Sequence, residues 1–298
     1  MASPQISVVV PFLGSEREAR AALRALRALS TGPDDEVILV DNTPEHVLGG
    51  IDAGPVRVLA APERQTAFFA RNAGARRASG EWLLFLDADC RPPENLLERF
   101  FDPPPADTVA IVAGELVGDE DQDAIAARWA RSRRGRIASH HLDPGPFPAG
   151  VTANMLIRRL AFESVGGFED RVRSDADVEL CWRLQEAGWG FLYRPEALVV
   201  HRDPERIPAI VRQAVGYGAG RRWTNHLWPG SGSRPPVLLP ILRAVGGGLA
   251  WMARGQLERA AFKLLDGLAA VAGWWGYLAV PNAVGETDPG SDGSAGAR

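Results

Sequence analysis

Two aspartates one residue apart, Asp87 and Asp89, close the apolar run Trp82-Leu83-Leu84-Phe85-Leu86. An unbroken apolar run of this length fits a strand covered on both faces, as in a parallel sheet. Open α/β sheets bind ligands beyond the carboxyl ends of such strands. Two carboxylates there offer hard oxygen ligands to a divalent cation, and the cation can in turn hold a diphosphate. A polar loop that merely ends the strand is the plain alternative for an isolated Asp-x-Asp. Two further residues suit the same chemistry. Asp41 ends a second apolar run, Val37-Ile38-Leu39-Val40, and can accept from an imide N–H or a sugar hydroxyl, or else cap its own turn. Arg71 can pair with a diphosphate, or simply be a solvated helix arginine.

The elements that would position these groups alternate. Ile6-Ser7-Val8-Val9-Val10 is a β-branched strand stopped by Pro11. Residues 16–30 carry Ala19, Leu23, Leu26 and Leu29 at helical spacing, and Glu36 to Asp41 is the second strand. Val56 to Leu59 reads as a short third strand, and residues 66–79 as a helix ending at Gly80, just before the strand that leads to Asp87. Strand, helix, strand, short strand, helix, strand is the order of a doubly wound, mostly parallel sheet. Thr108 to Ala113 is a further strand. Residues 119–134 read as a helix whose acids come first and arginines last, an order that suits the helix dipole. That face is either solvated or an arginine surface for a phosphate-bearing acceptor. Residues 139–150 read as a loop, Ser174 to Ala187 as a helix, and Phe191-Leu192-Tyr193 and Ala197 to Val200 as two short strands.

Bulk composition narrows the class. With 46% hydrophobic and 23% charged residues, the chain is an ordinary globular one, and 298 residues suffice for a large core. A net charge of -4 gives no global basic excess, which argues against nucleic acid as a partner. Cys90 and Cys181 have neither metal-type spacing nor a disulfide framework. The amino terminus lacks a basic-then-apolar leader, and no apolar stretch is long enough to span a membrane, so a cytoplasmic location is expected.

Four ordered blocks carry a family resemblance: Val8-Val9-Val10-Pro11, Val40-Asp41-Asn42-Thr43, Phe85-Leu86-Asp87-Ala88-Asp89, and Asp175 to Leu184. Together with Arg71-Asn72-Ala73-Gly74, Ala153 to Arg159, Val165-Gly166-Gly167-Phe168 and Tyr193 to His201, they resemble family-two glycosyltransferases, nucleotide-sugar enzymes of the GT-A fold. The resemblance implies an α/β GT-A domain over residues 1–225 that binds donor and acceptor. It implies donor contacts at Pro11, Asp41, Arg71 and Asp87, with Asp41 near the nucleotide base and Asp87 near the ribose. Asp89 would bind Mg²⁺ or Mn²⁺, with His201 as a further ligand or else a structural histidine. Asp177 would be the general base that takes the proton of the incoming hydroxyl; a capping exchange with Ser174 is its plain alternative. The expected reaction moves a sugar from a nucleotide diphosphate, a UDP-sugar foremost, to a hydroxyl acceptor with inversion.

Two departures qualify the match. Ala176 stands where the family usually has Glu, leaving open whether Asp175 or Glu179 shares the base role. Arg221-Arg222-Trp223 lacks the upstream spacing of the processive signature, so a non-processive enzyme is expected. The missing Glu also leaves room for a catalytically impaired nucleotide- or glycan-binding protein. A sugar nucleotidyltransferase would need a Gly-rich loop after the first strand, which Pro11-Phe12-Leu13-Gly14-Ser15 is not. Gly216-Tyr217-Gly218-Ala219-Gly220 follows a helical pattern, the wrong setting for a dinucleotide fingerprint.

Beyond 225 the chain reads as a helical hairpin over 226–284 and a tail, 285–298, of disordered composition. Apolar residues recur at helical spacing on both hairpin segments, while Arg243 and Asp266 interrupt them. Such a hairpin would pack on the catalytic domain, form a homodimer, or rest at a membrane surface through its tryptophans.

Overall fold

In the computed structural model, residues 4–134, 145–232, 235 and 237–283 are described. The expected tail at 285–298 and the first half, 139–144, of the expected loop at 139–150 lie outside them. Strands β1 (Ile6–Phe12), β2 (Glu36–Asp41), β3 (Arg57–Ala60) and β4 (Trp82–Leu86) are mutually parallel in the spatial order β3-β2-β1-β4. Side chains of a strand alternate between faces. Val8, Val10, Leu39 and Leu84 therefore share one core with Ala19, Leu23 and Leu26 of helix α1 (Glu16–Arg27). On the other face helix α2 (Ala67–Ala75) lies close, because Gly74 has no Cβ; one added there would sit 2.5 Å from Val9 Cγ1. Phe85 points the same way and packs edge-on against Phe168, ring centroids 5.1 Å apart. With β1 between β2 and β4, the strand ends carrying Asp41 and Asp87 flank the end of β1.

Pro11 does not stop the first strand, as its missing N–H suggested; β1 runs on to Phe12, with Pro11 opposite Val40. The pairing of β1 with β4 covers only Ile6 to Val9, so by Pro11 one side of the strand has no ladder to break.

The remaining elements of this unit are β5 (Cys90–Arg91), α3 (Leu96–Phe100), β6 (Val109–Gly118), α4 (Ile125–Arg134), β7 (Asn154–Arg158), α5 (Arg159–Ser164), α6 (Ala176–Glu186) and β8 (Gly190–His201). Among the described residues the strands form one eight-stranded sheet, β3-β2-β1-β4-β7-β6-β8-β5. It is mixed: β7 runs against both β4 and β6, and β5 against β8. The two short strands expected at 191–193 and 197–200 are one strand, β8. Its register against β6 jumps where Pro195 falls, from Gly114 opposite Arg194 to Glu115 opposite Leu198. Helix α4 begins only at Ile125, so the acids from Asp119 on precede it and do not cap its dipole.

Glu36 ties three segments together at the amino-terminal edge of the sheet. It accepts from Ser7 Oγ (2.8 Å), Ser79 N (2.7 Å) and Ser79 Oγ (2.7 Å). Burial works against its charge, yet these bonds and Arg57 hold its carboxyl below the ordinary range. A depressed folded pKa stabilises above the unfolded pKa, and that stability is lost as pH falls through the folded one. We expect Glu36→Gln to cost about 1–2 kcal/mol at neutral pH, and less as the wild type is acidified, in urea unfolding at several pH values.

The chain divides into two compact units. The first ends at Asp170 and resumes over Ala176–Glu205; the second is Arg171–Asp175 with the chain from Arg206 on. Helix α7 (Ile207–Leu227) thus groups with α8 (Leu238–Met252) and α9 (Leu257–Ala279), ahead of the boundary suggested at 225. In this second unit α7 lies against α9 at van der Waals range of their backbones. A Cβ at Gly218 would run into Gly273 O, and one at Gly276 into Val215 O. Within the glycine string of α7, Gly218 is thus a helix-packing position. Among the described residues no helix is long and apolar enough to cross a membrane.

Candidate active site

A cleft of about 360 Å³ opens at the carboxyl ends of β1 and β4, within the size range of small-ligand sites. Its lining includes Pro11, Asn42, Arg71, Asp87 and Asp89, together with Glu18 of α1. The chain turns into this cleft at Asp87 because β4 ends there and Cys90 N closes a turn onto Asp87 O (3.1 Å).

His201 reaches the cleft from a distant part of the sequence. It is the last residue of β8 and pairs with Cys90 across the antiparallel β5–β8 bridge. That pairing sets His201 Nε2 3.6 Å from Asp89 Oδ1. One ligand atom from each of Asp87, Asp89 and His201 lies within 4.8 Å of the others. Two carboxylates and an imidazole so placed fit a divalent cation of the Mg²⁺ or Mn²⁺ type. The three are not equivalent. Asp87 Oδ1 accepts from Arg71 Nη2, and Arg71 is 3% exposed, so part of its charge is already committed. The buried Nδ1 of His201 has no hydrogen-bond partner among the described residues, so nothing there orients the ring as a ligating histidine usually is. Asp89, whose side chain is 55% exposed, is the freest ligand. Desolvation by the surrounding cleft, aided by the charge of Asp87, pushes its pKa up, while His201 opposes the shift.

Asp177 stands in the first turn of α6, half-buried. Its Oδ2 accepts from Thr152 N (3.2 Å) and Thr152 Oγ1 (3.4 Å), and its Oδ1 from Val178 N (3.0 Å). Thr152 precedes β7, whose first residue, Asn154, lies opposite Leu86 at the end of β4. Cys90 Sγ also donates to Ala153 O (3.4 Å). The loop that holds Asp177 is therefore bonded to the segment that carries Asp87 and Asp89. Glu179 is occupied elsewhere: buried, it takes Arg183 Nε at 2.7 Å and Nη2 at 2.8 Å. Arg183 also donates to Gly167 O (2.8 Å), so Glu179 fastens α6 to the preceding loop. In the second unit, Asp175 accepts from Ser174 Oγ at 3.0 Å.

Asp41 is 1% exposed, and its carboxylate serves its own loop. Thr43 N (3.0 Å), Thr43 Oγ1 (2.5 Å) and Leu48 N (2.8 Å) all donate to it. This is the turn-capping alternative; the cleft is lined instead by the neighbouring Asn42. The two cysteines are core groups. Burial pushes the Cys90 thiol well up and that of Cys181 up to about 12, so neither is a nucleophile.

Asp119 was read from the sequence only as part of a charge run. It is 1% exposed and accepts from Arg91 Nη2 and from Arg202 Nη1 (3.2 Å). Its backbone N donates to His201 O (3.1 Å), and Arg202 N donates to Asp89 O (3.3 Å). Asp119 thus clamps the residues next to Cys90 and His201 on the two strands that bring the cation ligands together. We expect Asp119→Asn to cost about 1.5–3 kcal/mol in urea unfolding and to weaken Mn²⁺ binding in parallel. A variant with unchanged unfolding and unchanged Mn²⁺ titration would show that the clamp does not matter.

Comparison with known proteins agrees with this geometry. The family model described as glycosyl transferase family 2 matches residues 7–166, more than half of the chain. The pre-mycofactocin glycosyltransferase of Mycobacterium tuberculosis is 28% identical over 268 residues, covering 83% of this chain and 52% of that protein. The chain thus spans about half the length of that relative. The mannosyltransferase PcManGT from Pyrobaculum calidifontis, solved with GDP-Man and Mn²⁺, superposes with a TM-score of 0.60 at 18% identity, over 92% of this chain and 88% of that one. GalNAc-T7, solved with UDP, GalNAc and Mn²⁺, superposes with a TM-score of 0.50 at 18% identity, over 74% of this chain and 51% of that one. These two likenesses bear on the fold. An α/β sheet with its cleft at the ends of β1 and β4, neighbours of GT-A architecture and a match over most of the first unit lead to one assignment: the chain belongs to glycosyl transferase family 2 and has a GT-A fold.

Proposed function

We propose that the chain is a glycosyltransferase that moves a hexosyl group from a nucleoside diphosphate sugar to a hydroxyl acceptor in a single inverting displacement. The observation that supports this most is the cluster of Asp87, Asp89 and His201 within 4.8 Å in the cleft of a family-2 chain. A divalent cation bound there supplies Lewis-acid neutralisation of the charge that develops on the departing diphosphate. Asp89 would carry most of the ligation, with Asp87 and His201 completing the set. Arg71, buried beside Asp87, presents its guanidinium to the same cleft as a partner for phosphate oxygens. Asn42 and Pro11 line the adjoining wall, where the rest of the donor would lie.

Asp177 is the base in this reading. It accepts the proton of the acceptor hydroxyl as the new bond to the anomeric carbon forms and the bond to the diphosphate oxygen breaks. Thr152 holds one carboxylate oxygen, fixing the side chain on the loop bonded to the metal-binding segment. Inversion follows from one displacement without a covalent intermediate. We also infer a non-processive enzyme that adds one sugar per encounter, since the chain departs from the processive signature at Arg221-Arg222-Trp223.

The nucleotide differs between the two solved neighbours, GDP in one and UDP in the other, and UDP is the first donor to try. A thermal-shift panel of UDP- and GDP-sugars with Mn²⁺ or Mg²⁺ tests the reading, because a bound donor raises the melting temperature by mass action. We expect one nucleotide series to shift the protein only when the metal is present, and NMR of the product to show an inverted linkage. No metal-dependent shift with any donor, or a retained linkage, would refute it.

A further inference from the structure

We infer that the hairpin of α8 and α9 lies in the plane of an anionic lipid surface, an inference independent of the glycosyl-transfer reading. On α8, Leu238, Leu242, Val245, Leu249 and Met252 recur every three or four residues and are all exposed, Leu242 at 61% and Leu249 at 59%. On α9, Leu264, Leu268, Val271 and Trp275 do the same, Trp275 at 57%. The two stripes are continuous. A shallow groove between the helices is lined by Ile241 and Val245 from one and by Leu264, Leu268 and Val271 from the other. Leu264 apart, the hairpin leaves these side chains outside its closest contacts. The helices approach through small residues, with Ala244 against Gly267 and Gly248 facing Ala260 and the side of Leu264. Two parallel rows of large apolar side chains on one face exceed the scattered exposure normal for a monomer.

Charge selects the occupant. Residues 206–298 hold ten Arg or Lys and five Asp or Glu, a net of +5; the whole chain is -4, so residues 1–205 carry -9. The charge asymmetry therefore places the exposed apolar face on the basic part of an acidic protein. A second copy seated on that face would bring like charges together. Anionic headgroups bring the opposite sign and attract basic residues near the surface. At the turn of the hairpin, the guanidiniums of Arg254 and Arg259 lie over the Trp251 ring, 5.5 and 4.8 Å from its centroid. Arginine stacked on tryptophan suits the headgroup boundary, where one side is apolar and the other wet. Since neither helix is long and apolar enough to span, the in-plane arrangement is the one left for them.

The test is flotation of the full chain with vesicles of phosphatidylcholine alone and with about one third phosphatidylglycerol. We expect the protein to float with the anionic vesicles, to stay behind with the neutral ones, and to be released by high salt. The double variant L249E/L268E, at exposed positions, should keep the wild-type circular dichroism and melting temperature and lose at least about tenfold in vesicle affinity. Equal flotation with both vesicle types, none with either, or binding unaffected by the double variant overturns the inference. So does a soluble dimer that stays off the vesicles and becomes a monomer in L249E/L268E, which would assign the face to a second copy.

Discussion

Replacing Asp177 with Asn should lower turnover by about 10²- to 10⁴-fold, the range for removing a positioned base. Asn keeps the size of the side chain and an oxygen for Thr152 N and Oγ1, and gives up the bond that Oδ1 accepts from Val178 N, a modest stability loss that urea unfolding reads separately from turnover. What it removes is the capacity to take the proton. Because the substitution does not touch Asp87, Asp89 or His201, Mn²⁺ and nucleotide affinities should stay within about twofold, and the loss should appear in kcat. Nucleoside diphosphate release at saturating acceptor, read beside a donor thermal shift, separates the two. Glu179 is the control. Its carboxylate is held by both Nε and Nη2 of Arg183, so Glu179→Gln should lower stability and leave the pH dependence of kcat unchanged. Full turnover in Asp177→Asn would remove Asp177 from the chemistry and, with it, the argument for inversion.

The parts of the fold and site that could be read from sequence are those set by local signals. Asp87 and Asp89 were legible because a buried strand announces itself by composition and its end by the first charges after it. The alternation of strands and helices announced a doubly wound, mostly parallel sheet, and β1 to β4 are mutually parallel. What was not legible depends on strands that meet across long separations. Nothing near His201 marks it as a neighbour of Asp89; the β5–β8 pairing does that, and only a family resemblance hinted at it. Thr152 is an ordinary loop threonine until β7 carries it beside the end of β4. Asp119 looked like one acid of a helix cap, but its arginine partners come from the ends of β5 and β8. Asp41 shows the converse: its carboxylate is held by Thr43 and Leu48, partners near enough in sequence for a local reading to find.

Asp89→Ala and Asp87→Ala should give opposite results although they remove neighbouring carboxylates. Asp89 has a folded pKa raised by desolvation and by the charge of Asp87. A carboxylate with a raised folded pKa is less favourable when ionised in the folded state than in the unfolded one. Its contribution at neutral pH is therefore slightly destabilising, since water at the half-exposed side chain keeps the penalty small, and the penalty disappears as pH falls below the unfolded pKa. Removing it should leave the metal-free protein at least as stable as the wild type at pH 7. The same change should abolish the Mn²⁺-dependent thermal shift and weaken nucleoside diphosphate binding by about 10²-fold or more, with binding of the bare nucleoside unchanged. Asp87→Ala instead strands Arg71, whose guanidinium is buried and whose Nε has no hydrogen-bond partner among the described residues. An uncompensated buried charge costs about 3–5 kcal/mol, so this variant should unfold at markedly lower urea in the presence of EDTA. Urea unfolding with and without Mn²⁺ measures both. If Asp89→Ala loses as much metal-free stability as Asp87→Ala, or keeps its Mn²⁺-dependent shift, then Asp89 is a structural residue and the cation is held elsewhere. The predicted contrast, one carboxylate that holds a buried arginine and one that the metal-free fold does not need, is the pattern of a site whose ligand supplies the missing charge.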